Sequence, residues 1–94
     1  MKQYGIYEVK KAENAYKEHY NVTELPYALF AQNVSVIPMG SMQAWILVDR
    51  FGNRWLQSYN TIVSVKWADT GDFERLGRWS VTTSRQQTRF EKEA

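Results

Sequence analysis

The sequence predicts an α+β fold: an N-terminal helix, an antiparallel meander sheet of about four strands, and a short C-terminal helix. Three observations carry this. Residues 7–20 place apolar side chains at helical spacing. Residues 42–79 alternate apolar runs with tight-turn residues, and consecutive strands joined by short turns favour antiparallel pairing. Finally, Ser80-Val81-Thr82-Thr83-Ser84-Arg85 is a helix-start signal.

The elements follow in order. In the first helix Val9, Ala12, Tyr16 and Tyr20 form one apolar stripe, and Glu13 and Lys17 are a favourable i,i+4 pair. Residues 4–9 are also compatible with a short strand. Thr23-Glu24-Leu25-Pro26 breaks the helix, because Pro26 drives Leu25 toward extended geometry. Tyr27–Ala31 fits helical turns or a strand, and Val34–Ile37 reads as strand. Met42–Asp49 has apolar residues on both faces, as a central strand requires. Arg50-Phe51-Gly52-Asn53 is a hairpin turn, with Gly and Asn able to take positive φ. Arg54–Ser58 is the return strand and Tyr59-Asn60 the next connection. Thr61–Trp67 is expected to put Thr61, Val63, Val65 and Trp67 on one face and Ile62, Ser64 and Lys66 on the other. Asp69-Thr70-Gly71-Asp72 is a third turn. Phe73–Trp79 is a fourth strand that Gly77 weakens or bulges. Thr82 or Thr83 is expected to cap a helix ending near Glu93. That helix has Phe90 as its sole large apolar residue, so little burial is expected of it. Its Arg85, Glu91 and Glu93 oppose the helix macrodipole.

A chain of 94 residues is read as one domain with one modest core. There is no cysteine, which removes disulfides, thiolate metal sites and cysteine nucleophiles. His19 is the only histidine, and it is expected on the surface. No glycine-rich phosphate loop can be written in the chain. Asp69, Asp72 and Glu74 cluster at a turn without the twelve-residue calcium-loop pattern, and read as a solvated hairpin tip. No cofactor, metal site or catalytic activity is therefore expected. The first thirty residues hold no apolar run long enough for a signal peptide, and no stretch is long enough to span a membrane, so the cytosol is the expected compartment.

Net charge is only +2, but it is unevenly spread. All six arginines fall between Arg50 and Arg89, together with three of the four tryptophans. Arg and Trp are the side chains that most often supply binding energy at a surface. The expected contact set is Arg50, Phe51, Arg54, Trp55, Tyr59, Arg78, Arg85 and Arg89. A protein partner is the first expectation. A nucleic acid held by Arg50, Arg54, Arg78, Arg85 and Arg89 is the second. Self-association as a homodimer through an open sheet edge is the third.

Ser58-Tyr59-Asn60-Thr61-Ile62-Val63, followed by Trp79-Ser80-Val81-Thr82-Thr83-Ser84-Arg85-Gln86-Gln87-Thr88-Arg89-Phe90, resembles a group of small proteins of unknown function encoded by phages and prophages of Gram-positive bacteria. The resemblance runs from Ser58 to Phe90 and does not reach residues 1–40. In that group a histidine often follows the basic residue of the cap, where this chain has Gln86. The resemblance implies an accessory protein working in the cytoplasm of a bacterial host. A structural role is expected for its motif: Asn60 in an Asx-type turn, Thr61 opening the next strand, Thr82 or Thr83 capping the helix. Tyr59, Trp79 and Phe90 are expected to pack together and dock that helix on the sheet.

Overall fold

The computed structural model describes residues 9–25, 35–39 and 43–93. The order of elements is α1 (Lys10–Tyr20), β1 (Ser35–Pro38), β2 (Ala44–Val48), β3 (Arg54–Ser58), β4 (Thr61–Lys66), β5 (Phe73–Arg75) and α2 (Val81–Glu93). The strands form one five-stranded sheet in the order β1-β2-β3-β4-β5, every neighbouring pair antiparallel. This is the α+β meander the sequence predicts, with β1 as an edge strand where strand is expected over Val34–Ile37; Val34 itself lies outside the described residues. Residues 4–8 and Tyr27–Ala31 lie outside the described residues.

The helices cover opposite faces of the sheet. Leu47, Trp55, Ile62, Val65 and Trp67 point to one face, where Ala12, Ala15 and Tyr16 of α1 pack against them. Ala44, Ile46, Leu56 and Val63 point to the other, where Phe90 of α2 seats. The two apolar sets of β2 are thus both used, because strand side chains alternate between faces. In β4 the expected alternation fails. Leu56 pairs with Ser64 but Gln57 pairs with Ile62, so Val63 is an extra residue, a β-bulge. The bulge shifts the phase, and Ile62, not Val63, joins Val65 and Trp67 under α1.

The β2–β3 connection is built on Asp49. Its backbone N–H donates to the Asn53 carbonyl, and Gly52 N–H donates to the Asp49 carbonyl, both at 3.0 Å. Gly52 then takes φ 87°, which completes the common three-residue hairpin loop and would strain any side chain. Asp49 is buried, and its carboxylate accepts four hydrogen bonds. Phe51 N–H (2.9 Å) and Asn53 N–H (3.0 Å) reach Oδ1; Asn53 Nδ2 (3.1 Å) and Trp55 Nε1 (2.9 Å) reach Oδ2. Asn53 extends the network. Its Nδ2 also donates to the Tyr20 hydroxyl at 2.9 Å, and its Oδ1 accepts from Ala68 N–H at 2.8 Å. One carboxylate and one amide therefore tie the hairpin to the end of α1 and to the β4–β5 turn.

α1 ends on Asn21 at φ 55°, with Asn21 N–H donating to Glu18 O and Val22 N–H to Lys17 O, the paired bonds of a Schellman motif. At the other end of the chain, β5 stops at Arg75 instead of reaching Trp79. The Leu76 N–H still bonds Val63 O at 2.9 Å, after which the chain leaves the sheet at Gly77. A Cβ on Gly77 would lie 2.8 Å from the Lys11 ammonium and 3.3 Å from the Trp79 ring, so a side chain there would displace the flexible end of Lys11 and press on Trp79.

The cap of α2 is Ser80, not Thr82 or Thr83. Its hydroxyl accepts the Thr83 N–H at 3.2 Å. Thr82 is exposed, while Thr83, Gln86, Gln87 and Phe90 form the buried stripe. Phe90 is wholly buried and meets the Phe73 ring edge-on at 5.5 Å, so the one large apolar residue of α2 does serve as its anchor. Neither Tyr59 nor Trp79 joins it, since both are largely exposed. Polar bonds complete the docking. Ser58 Oγ donates to Gln86 Oε1 and lies 3.2 Å from Thr83 Oγ1, and Gln87 Nε2 donates to Val63 O at 3.0 Å.

Two outcomes follow, both readable by urea denaturation. Phe90→Ala is expected to cost about 3–5 kcal/mol, as for other large-to-small aromatic core changes, whereas Val81→Ala on the outer side of α2 stays within about 0.5 kcal/mol. Asp49→Ala leaves the buried Asn53 and Trp55 donors without this acceptor, and a loss of about 2–6 kcal/mol is expected from two such groups.

Candidate functional site

The expected contact set divides into two places. Arg50, Phe51 and Arg54 belong to the β2–β3 end of the sheet, and Arg50 and Arg54 are exposed there. Phe51 is 47% exposed, and its ring centroid lies 6.2 and 6.3 Å from those of Tyr16 and Tyr20. Trp55 does not sit beside them. It is 0% exposed, in the core under α1, at 5.4 Å and near-perpendicular to Trp67. Its position follows from β3 alternation: Trp55 points to the α1 face, and its indole N–H is consumed by Asp49. The hairpin tip therefore presents one ring, not two. Tyr59 projects from the β3–β4 turn at the opposite end, 51% exposed and itself at φ 55°. The left-handed residue of that turn is Tyr59, and Asn60 beside it is exposed.

The second place is α2. Its outer side and the segment that leads into it form a shallow groove of about 870 Å³. Arg78, Trp79, Ser80 and Val81 make one end; Ser84, Arg85, Thr88, Arg89, Lys92 and Glu93 continue it along the helix. Val81 and Phe90 are nine residues apart, about 2.5 turns at 3.6 residues per turn, so the residue that anchors the helix and the residue that faces solvent are opposite. Val81 is accordingly 70% exposed. Trp79 is 41% exposed; Lys11 Nζ lies 5.0 Å from its centroid, and it lines a small pocket of about 70 Å³ with Lys11, Thr61 and Ile62. Thr61 and Trp79, from the two halves of the motif, thus meet here. Val81, Ser84 and Lys92 were not singled out by the sequence. The half-turn offset between Val81 and Phe90 was the available signal.

The charges on α2 are sorted by partner. Arg75 of β5 grips Glu91 with Nε–Oε2 at 2.8 Å and Nη2–Oε1 at 3.0 Å, and also donates to Thr88 Oγ1 at 3.2 Å. Arg89 Nε donates to Glu93 at 2.8 Å, one turn along the helix. These pairs answer the apparent opposition of both glutamates to the macrodipole. The Arg75 hydrogen bond lowers the Glu91 carboxyl from its ordinary value, with burial pulling the other way. Among the described residues Arg78 and Arg85 form no ion pair.

His19 and Asp69, both read from the sequence as plain surface residues, are joined across the fold. His19 Nε2 lies 2.9 and 3.0 Å from the two Asp69 oxygens, and its ring stacks on Trp67 at 3.8 Å with an interplanar angle of 2°. The His19 hydrogen bond lowers the Asp69 carboxyl. On the same face, burial, with Tyr20 and Asp49 nearby, raises the Tyr16 phenol. Among the described residues no three of His, Cys, Asp and Glu gather closely enough to share a metal ion, and no helix is long and apolar enough to cross a membrane.

A small α+β domain with helices on both faces of a meander sheet, and a basic groove along one helix, is the class this geometry defines. The chain belongs to the family of unknown function DUF8033, matched over residues 31–94. The match takes in all five strands and α2, and so the whole groove; α1 lies outside it. No curated protein and no solved structure matches the chain.

Folded Asp69 and Glu91 both titrate below their unfolded values. Each therefore contributes stability above the ordinary carboxyl range near pH 4, and loses it as pH falls through the folded value. Glu91→Gln is expected to cost about 0.5 kcal/mol at pH 7. The melting-temperature gap between wild type and Glu91→Gln should be full above about pH 5 and close toward about pH 2, since Arg75 stays charged throughout.

Proposed function

We propose that this chain is a non-catalytic phage or prophage accessory protein that works in the cytoplasm of a bacterial host by binding a host or phage protein through the outer side of α2. The phage setting rests on the resemblance of Ser58–Phe90 to proteins of that origin. The binding reading rests on one observation above others. α2 spends its only large apolar residue and three polar ones on docking, yet Val81 at its start and Trp79 just before it stay exposed beside Arg78 and Arg85. Exposed Trp and Arg around an apolar centre are the composition of interface hot spots. Both halves of the motif serve this surface indirectly, since Ser58 holds Thr83 and Gln86 and thereby sets where the groove lies. The position that carries histidine in the similar group is the inward-facing Gln86, a docking residue.

Nucleic acid is the competing reading. It is weakened by the division of its five arginines between the hairpin end and α2, and by the pairing of Arg89 with Glu93. A photo-crosslinking amino acid at position 81, in full-length protein mixed with nuclease-treated lysate of a Gram-positive host, tests the proposal. One protein adduct of defined mass is expected from position 81 and not from position 14 on the exposed side of α1. Adducts that are the same from both positions, or none from position 81, refute it.

A further inference from the structure

Resting on that reading, we infer that the α2 groove takes an extended, acidic segment of the partner protein: roughly six residues in which Asp and Glu flank one apolar anchor. Length, charge and surface chemistry each argue for this occupant.

The groove follows the thirteen residues of α2, a length of about 20 Å at 1.5 Å per residue. An extended chain covers that distance in about six residues at roughly 3.3 Å each. The lining carries four cations, Arg78, Arg85, Arg89 and Lys92, against the single carboxylate of Glu93. The charge is also graded along the helix. At the C-terminal end Glu93 already neutralises Arg89. At the N-terminal end Arg78 and Arg85 have no ion-pair partner among the described residues, and Trp79 and Val81 lie between them. A guanidinium holds a carboxylate through two parallel bonds, so two of them around a Trp–Val step select an anionic residue on each side of an apolar one.

A nucleic-acid strand fits this lining less well. Sequence-tolerant single-strand binding uses successive rings on which bases stack, and the groove offers only Trp79. Lys11, at 5.0 Å, already occupies part of that ring's surroundings. The remaining exposed arginines of the expected set, Arg50 and Arg54, stand at the hairpin end and do not line the groove. A peptide needs one apolar contact and two carboxylate contacts, and all are present within residues 78–85.

Trp79 is the most exposed of the four tryptophans; Trp55 and Trp67 are buried and Trp45 is half-buried. Its quenching by acrylamide is therefore a direct reporter of groove occupancy. The test titrates the full chain with a panel of capped hexapeptides, each with three or four Asp or Glu residues around one Leu or Phe, beside the same panel with Lys in place of the acids and an eight-nucleotide thymidine strand. At least one acidic peptide is expected to shield Trp79 with a Kd on the order of 10–100 µM, and the shielded component should disappear in Trp79→Phe. Arg85→Glu and Arg78→Glu should each weaken that peptide at least about tenfold, and Arg54→Glu less than about twofold.

Equal binding of the acidic and lysine panels, or of none, overturns the inference. So does a thymidine strand that binds as tightly with the same dependence on Arg85, which assigns the groove to nucleic acid. The binding-protein reading fails separately, through the crosslink at position 81. A protein adduct there with no acidic peptide bound leaves that reading standing and removes this one.

Discussion

The Asp49 carboxylate is the point on which the rest of the architecture depends. A buried carboxylate is costly unless its lone pairs are filled, and here four donors fill them. Two come from the backbone of the hairpin it closes, one from the core Trp55 and one from Asn53. Asn53 then passes the constraint to Tyr20 of α1 and to Ala68 in the next turn. Three segments distant in sequence are thus tied to a carboxylate and an amide that are themselves buried. The aromatic cluster of Tyr16, Tyr20, Trp55 and Trp67 packs around this polar centre, and His19 with Asp69 closes its rim.

The opposite face of the sheet is organised differently. α2 docks through a single ring, Phe90, and a row of side-chain hydrogen bonds from Thr83, Gln86 and Gln87. The β4 bulge contributes here, because the Val63 carbonyl accepts from both Leu76 N–H and Gln87 Nε2. Directional bonds fix the rotation of α2 about its axis more tightly than an apolar stripe alone would, since a rotated helix loses acceptors as well as contact. A helix held in one rotation presents one constant outer surface, and that surface is the groove. The Arg75–Glu91 grip acts in the same direction from the β5 edge.

Much of this was legible from residue order. Alternation placed β2, β3 and β4, the turn residues placed their connections, and the Ser80–Arg85 signal placed the start of α2 to within a residue or two. The misreadings have physical causes. Ile62-Val63-Ser64-Val65 satisfies either phase of a strand, so the bulge at Val63 left no mark in the pattern. Ser80, Thr82 and Thr83 are all competent caps by type; the Thr83 N–H bonds the Ser80 hydroxyl while the Thr83 side chain faces Ser58 on the sheet. Trp55 beside two arginines reads as an exposed contact until the strand's facing is known. Of the candidate site, the arginines stood out by composition; Trp79 reads as a docking residue of the C-terminal helix but is exposed in the groove, and Val81 emerged only once Phe90 was seen to point inward.

The order of residues by itself determined the elements, their antiparallel sequence and the concentration of cationic and aromatic side chains in the second half, because propensity, alternation and turn chemistry act over a few neighbours. Tertiary structure alone decided which side chains face water and which meet across the fold: Asp49 with Asn53 and Trp55, His19 with Asp69, Ser58 with Gln86. Burial and hydrogen-bond partnership over such separations depend on how the sheet and its two helices pack, and short-range pattern carries no record of that.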